Sequence, residues 1–445
     1  MLRRLLPRRA NQVIRTLLRR LQSSCTQAVW IPPDSAGSDA PPRSYAPRAA
    51  ITVAVGIAMF GCGASASAAQ SLPYWLQITP SARIDLIGYV PSTEAAALVN
   101  SQKPFAAPQI STFLDIFAGN HVYLLGEVRA DRGEAPADQP FEVRIEQLYL
   151  RITPSLPFEL SVQAGKFVTP FGNWPQRHNS SADPFIRPPL NYDYRTLVTP
   201  AMIPRSNDGF IDWKDEPDIF RPAGAPIVWA APYQVGMLAF GAWRKLAWRF
   251  AVMNSAPSSE PHVWDPDFNQ APAASYVAHL GYQLAPALRI GLSWNSGPYL
   301  DRTIADSLLA RGHYPADHYD QTIWGAELTY SRGLADLRAE VLLDSWDVPA
   351  VTEYPKEVAY YVEGKLKLAP GFAAAARFGS IVFNRIPRDN GTPEKWDYDI
   401  HRAQLGIVYR YSQRIELKTE YMLNHTTGPR DPSDNLFAVQ ASVTF

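Results

Sequence analysis

From about residue 80 to its end the chain keeps returning to alternation of apolar and polar residues over stretches of about ten positions. The last stretch is the clearest, with Phe437, Val439, Ala441, Val443 and Phe445 on one face and Ala438, Gln440, Ser442 and Thr444 on the other. A period of two belongs to a strand whose two faces meet different surroundings. The sidedness persists upstream. In 334–346, Asp336, Arg338, Glu340 and Asp344 alternate with Ala335, Leu337, Ala339, Val341 and Leu343. In 414–425, Arg414, Glu416, Lys418, Glu420 and Asn424 alternate with Ile415, Leu417, Tyr421 and Leu423.

The pattern predicts sixteen strands, near 80–90, 109–118, 121–131, 140–152, 157–167, 232–243, 246–254, 274–284, 287–296, 321–331, 334–346, 356–368, 372–384, 400–411, 414–425 and 436–445. Connections of a few residues, such as Gly119-Asn120, Arg244-Lys245, Arg332-Gly333 and Ser412-Gln413, alternate with longer ones along the whole chain. This is the asymmetry of outer-membrane barrels, with short periplasmic turns and long external loops. A sandwich or a propeller supplies no reason for it. The predicted fold is therefore all-β, a transmembrane antiparallel β-barrel of about 16 strands. Strands of this length, tilted, span the hydrocarbon layer, and closure leaves no unpaired edge in lipid. At sixteen strands the lumen is wide enough to hold water. Tyr282, Trp294, Trp324, Tyr330, Tyr409, Tyr411, Tyr421 and Phe445 lie on the apolar faces as candidates for interfacial belts.

A mean hydropathy of −0.18 and the lack of a second long apolar run argue against a polytopic helical protein, and zero formal net charge argues against a nucleic-acid binder. Residues 49–69 read AAITVAVGIAMFGCGASASAA, an apolar core behind Arg48 that gives way to Ala64-Ser65-Ala66 and Ala66-Ser67-Ala68. That is a cleaved signal peptide, a membrane anchor being the second reading. Residues 1–48 form an Arg-rich leader that reads either as a targeting segment or as a start codon placed too far upstream. Without residues 1–69 the chain loses nine arginines, two aspartates and both cysteines, which leaves 33 basic and 40 acidic residues and a net charge of −7. Residues 70–445 are the predicted barrel.

The run Val143-Arg144-Ile145-Glu146-Gln147-Leu148-Tyr149-Leu150, followed after one turn by Gly165-Lys166-Phe167-Val168-Thr169-Pro170-Phe171-Gly172, resembles the strand-turn-strand before the constriction loop of Gram-negative outer-membrane porins. It is most similar to the phosphate-selective porin-like group. The resemblance is local over 140–175 and weaker over 80–445. It implies a trimeric diffusion channel in the bacterial outer membrane whose third long loop, about 168–231, folds into the lumen. The pattern ending in Phe437, Val439, Ala441, Val443 and Phe445 is similar to the signal read by the barrel-assembly machinery.

Strand phase turns toward the lumen Arg144, Arg249, Arg289, Arg338, Lys365, Lys367, Arg377, Arg402, Arg410, Arg414 and Lys418, with Glu142, Glu146, Glu159, Glu327, Asp336, Glu340, Asp344, Glu357, Glu363, Glu416 and Glu420. Lys166 and the loop residues Arg177, Arg195 and Arg205 complete the candidate pore lining. Charges at a constriction set what passes. The long loop holds one lysine, Lys214 beside Asp212, Asp215 and Glu216, unlike the basic ladder of a dedicated phosphate channel, and Lys214 reads as a solvated turn. The loop arginines read either as surface charges at the mouth or as partners of acids such as Glu146 and Glu340 across the pore. No metal or cofactor is expected; His313 and His318 lack further ligands at fixed spacing. The reading is thus a passive porin for small hydrophilic solutes or ions, surrounded by outer-membrane lipid. The alternatives are an outer-membrane hydrolase and a conduit for lipid or polysaccharide.

Overall fold

The computed structural model describes residues 73–91, 103–132, 141–154, 159–261, 264, 273–429 and 435–445. The leader and signal segments lie outside the described residues.

Sixteen long strands form the wall. They are β1 (Leu76–Pro91), β2 (Gln109–Ala118), β3 (Val122–Asp131), β4 (Glu142–Ile152), β5 (Ser161–Val168), β6 (Tyr233–Trp243), β7 (Leu246–Met253) and β8 (Ser275–Ala285). There follow β9 (Leu288–Pro298), β10 (Asp320–Arg332), β11 (Ala335–Trp346), β12 (Lys356–Ala369), β13 (Phe372–Phe383), β14 (Ile400–Arg410), β15 (Ile415–Thr426) and β16 (Leu436–Thr444). Each pairs antiparallel with the next, and β16 closes on β1 from Arg83 opposite Thr444 to Pro91 opposite Leu436. The two-residue strand Phe105–Ala106 adds to β1 beside this seam. Every predicted strand is present. The first extends to Leu76 below the predicted start, and the fifth begins at Ser161 rather than 157, which leaves Glu159 in the preceding connection with a φ of 47°.

The wall is inside-out relative to a water-soluble sheet. On β11, Leu343 is 52% exposed and Asp344 3%. On β16 Phe437 and Val439 face outward while Leu436, Ala438 and Gln440 are buried. Tyr282, Trp324, Tyr409, Tyr411, Tyr421 and Phe445 all present exposed rings. The alternation holds because a strand in a barrel has one face toward hydrocarbon and the other toward the lumen. At the short-turn end, Gly333 adopts a φ of 62°, the left-handed conformation that a two-residue hairpin matching the strand twist demands.

Segment 169–232, the third long connection, carries short helical turns, among them Pro175–Arg177, Leu190–Tyr192 and Asn207–Ile211. Its Phe171, Trp174, Leu190, Tyr192 and Leu197 are buried in one cluster with the wall residues Val277, Ile323, Leu342, Tyr361 and Ile381. The wall makes room with small inward residues. A Cβ on Gly406 would stand 3.2 Å from the Phe185 ring, and one on Gly379 would stand 3.4 Å from Leu190. The loop therefore packs as a core of its own against the inward face of the wall.

Candidate functional site

The site is the contact between segment 169–232 and the inward faces of the wall. Gly172 enters first, with a φ of 66°. A Cβ there would collide with the Tyr192 hydroxyl and with Glu340, so the close approach requires glycine. The Gly172 amide donates to Ser293 Oγ (3.0 Å), the Asn173 amide to Glu340 Oε1 (3.1 Å), and the Tyr192 hydroxyl to the same oxygen (2.8 Å). Glu340 is thus held by a tyrosine and a backbone amide, where the sequence suggested a loop arginine.

The arginine that does cross is Arg177. Its Nη2 lies 3.0 Å from Glu363 Oε2, which also binds Arg377 Nη2 at 2.6 Å. Arg377 reaches Asp183 of the segment at 3.0 Å and donates to the Arg187 carbonyl at 3.1 Å. Its guanidinium lies 4.1 Å from the centroid of the Phe185 ring. Glu420 accepts the amides of Ile186 (2.6 Å) and Arg187 (2.9 Å), and Lys418 donates to the carbonyls of Ser180 and Asp183. Asp193 of the segment takes Arg402 from the wall (2.7 Å) and Arg187 from its own loop. Buried charges of this kind survive only when paired, and here three of the five ion pairs join segment to wall.

The remaining predicted lining residues divide by height. Arg144 and Glu146 pair with each other (2.5 Å), and Arg129 also approaches Glu146 (3.6 Å). Arg338 lies 3.3 Å from Glu363. Near the short-turn end Arg410 pairs with Glu416 (2.7 Å), Lys365 stands opposite Asp336, and Lys367 and Arg414 are exposed. Four placements depart from the sequence reading, those of Lys166, Arg205, Arg195 and Lys214. Lys166 follows the phase of Val162 and Ala164 and stands opposite Leu148, which is the outward face. The glycine before it, Gly165, packs onto the Leu148 backbone. Arg205 is exposed at the long-loop end, and Arg195 lies 5.0 Å from the Trp229 ring without reaching a wall acid. Lys214, read as a solvated turn, is buried and donates to the Lys395 carbonyl (2.7 Å). His318 stacks on Tyr314.

Between the segment and β1 to β3 lies a polar crevice of about 100 Å³, lined by Arg83, Asp85, Ser111, Arg129, His178 and Ser180 among others. His178 has its tautomer fixed by its neighbours. Its Nδ1 lies 2.6 Å from the Pro175 carbonyl, which only accepts, so Nε2 carries no proton and receives the Tyr233 hydroxyl at 2.5 Å. That hydroxyl in turn accepts from Arg129 (2.8 Å). Enclosure, and next the charge of Arg129, lower the imidazole to about 4. A released segment binds a proton at His178 below about 6.5, whereas the inserted one does so only near 4, so acid favours release across that window. Tryptic cleavage at Arg177 and Arg187 is accordingly expected to speed up between pH 7 and pH 4.5, after correction for the protease's own pH dependence on an unfolded substrate, and His178→Gln to flatten that rise; an unchanged pH profile in the variant would assign it elsewhere.

No family model matches the chain, and no curated protein matches it either. Solved outer-membrane structures share its fold. A loop L8 deletion mutant of OmpT, an outer membrane protein of Vibrio cholerae, superposes with a TM-score of 0.52 at 12% identity, covering 83% of this chain and 100% of that one. The outer membrane channel DcaP of Acinetobacter baumannii gives 0.51 at 12%, covering 83% and 97%. An anion-selective porin from Comamonas acidovorans gives 0.51 at 11%, covering 83% and 99%. At such identities the likeness is one of fold, the closed sixteen-stranded barrel that outer-membrane porins have.

Proposed function

We propose that this chain is a passive diffusion channel of the bacterial outer membrane for small hydrophilic solutes or ions, exported with a cleaved signal peptide. The observation that carries the reading is the inversion of the wall, apolar where it meets lipid and charged where it encloses the lumen. Residues 171–193 of the inserted segment pack within that lumen, and the polar crevice beside Arg83 and Arg129 supports a passage along the wall there. Arg83 and Arg129 there are set against Asp85, Glu127 and Glu146, a mixed field that fits a general pore better than a phosphate-specific one. Fold relatives include a trimeric OmpT, which supports a homotrimer for this chain.

Refolded protein is expected to insert into planar bilayers and give ohmic current steps; insertion without current would overturn the reading. The channel needs no cofactor and turns over no lipid or peptide, so hydrolase assays on the same preparation read blank. The exposed face of β16, ending in Phe445, supports recognition by the barrel-assembly machinery. Deleting Phe445 is expected to cut the folded, heat-modifiable protein in outer membranes several-fold, with unit conductance of the remaining channels unchanged. Normal accumulation of that variant would remove the C-terminus from the assembly signal.

A further inference from the structure

Below the inserted segment, toward the short-turn end, β4, β7 and β9 turn Arg151, Arg249 and Arg289 to the lumen. Their settings differ. Arg151 is satisfied by Gln163 (2.8 and 3.0 Å) and lies against three rings, Tyr123, Tyr149 and Phe240, at 5.1–5.5 Å. Arg249 stands opposite Phe240 on one side and His279 on the other. Arg289 leans across the strand between them, because that strand offers Gly281 at the crossing point. A Cβ on Gly281 would sit 2.5 Å from Arg289 Nη2. Among the described residues neither Arg249 nor Arg289 forms an ion pair. The charges of Arg289, Arg151 and Glu327 all bear on Arg249.

The nearby acids turn to other partners, although Glu327 keeps Oε2 without a hydrogen bond and so leaves a negative charge beside Arg249. Glu327 reaches over Gly291 to His279, with Oε1 2.5 Å from Nε2, and Asp115 accepts the Tyr123 hydroxyl at 2.5 Å. Three guanidinium groups thus share a wall with two carboxylates, and the two arginines without partners are drawn together by a missing Cβ. Like charges held at close range repel unless an anion lies between them, and planar guanidinium forks match the two oxygens of a carboxylate or phosphate group.

We propose that Arg249 and Arg289, with Arg151 behind them, form an oxyanion-binding site on the lumen wall at the short-turn side of the inserted segment, taking the carboxylate or phosphate group of a small solute. Gly281 is its positioning residue, setting the reach of Arg289. Phe240, shared by Arg151 and Arg249, gives the site an apolar floor, so the site favours an anion carrying a hydrophobic or flat body over bare chloride. The proposal deepens the channel reading and rests on it for its biological meaning, but the site itself does not require conduction.

The test uses refolded, detergent-solubilised protein titrated calorimetrically at low ionic strength, with inorganic phosphate in one arm and benzoate in the other. Saturable binding of at least one probe is expected. Loss of one charge-assisted contact should weaken it about tenfold in Arg249→Gln and in Arg289→Gln. The lysine variants should retain an intermediate affinity, and Gly281→Ala should weaken binding while heat-modifiable mobility stays native. Binding of phosphate alone would assign a phosphate site, and binding of benzoate, alone or more tightly, a carboxylate site. Equal affinity in wild type and the Arg249→Gln/Arg289→Gln double variant, or no saturation with either probe, overturns the site. Protein that binds a probe but passes no current overturns the channel and leaves the site standing; protein that conducts without binding does the reverse.

Discussion

Replacing residues 175–225 by a short Gly-Ser linker is expected to raise single-channel conductance several-fold. The wall does not depend on the segment for its hydrogen bonds, since every strand is paired on both sides and β16 closes on β1. What the deletion removes is the filling: Leu190 and Tyr192, almost fully buried and in contact with the wall strands around Tyr361 and Gly379, leave the lumen. A barrel of sixteen strands without its contents is an aqueous channel. The wall charges uncovered by the deletion, among them Glu363, Arg377, Lys418 and Glu420, then meet water, which hydrates them as well as the segment did. Folding yield is therefore expected to suffer less than the loss of so many contacts suggests. Conductance equal to that of the intact chain would mean that the segment does not obstruct the pore.

The wall was legible residue by residue because its signal is local. Each strand announces itself through its own alternation, and turns such as Arg332-Gly333 follow from strand ends and glycine. The inserted segment has no period of its own, and its anchors are far away in sequence. Tyr192 and Glu340 are 148 residues apart, Arg177 and Glu363 186. Strand phase correctly turned Arg377, Glu363 and Glu420 inward, but Asp183, Asp193, Tyr192 and His178 went unremarked, and they are the segment's half of the site. One signal was available. The inward positions of β13 and β14 include Ala373, Ala375, Gly379 and Gly406, small residues where an open lumen would carry polar ones. Such a stretch on a lumen face predicts that something packs there. Lys166 is a different case: it continues the phase of Val162 and Ala164, so the same alternation that reveals the wall places it on the outward face and not in the lining.

The second large effect belongs to Arg377. Its side chain is 1% exposed and joins Asp183 and Glu363 while also donating to Gln404 Oε1 (3.3 Å) and to the Arg187 carbonyl. Substitution by methionine keeps the bulk against Phe185 and removes the charge. Breaking a buried pair from one side costs roughly 3–5 kcal/mol, because the acids left behind are desolvated without their partner. Arg177 and Arg338 still contact Glu363, which lowers that cost, whereas Asp183 keeps one cation, Arg177 at 3.8 Å, beside the hydrogen bonds it accepts from the Trp174 indole and the Phe185 amide (3.0 Å). The strain has a way out short of unfolding the wall: the segment can leave the lumen and let water reach both carboxylates. Arg377→Met is therefore expected to shift conductance toward the deletion variant while heat-modifiable mobility stays native, and to open Arg177 and Arg187 to trypsin. Arg377→Lys, which keeps the charge but loses the fork, should fall between the two. Adding Glu363→Gln to Arg377→Met should recover part of the protection, since one of the two abandoned charges is then gone. If Arg377→Met leaves both current and cleavage unchanged, the segment is held by its apolar packing alone, and the ion pairs across the lumen are a consequence of insertion instead of its cause.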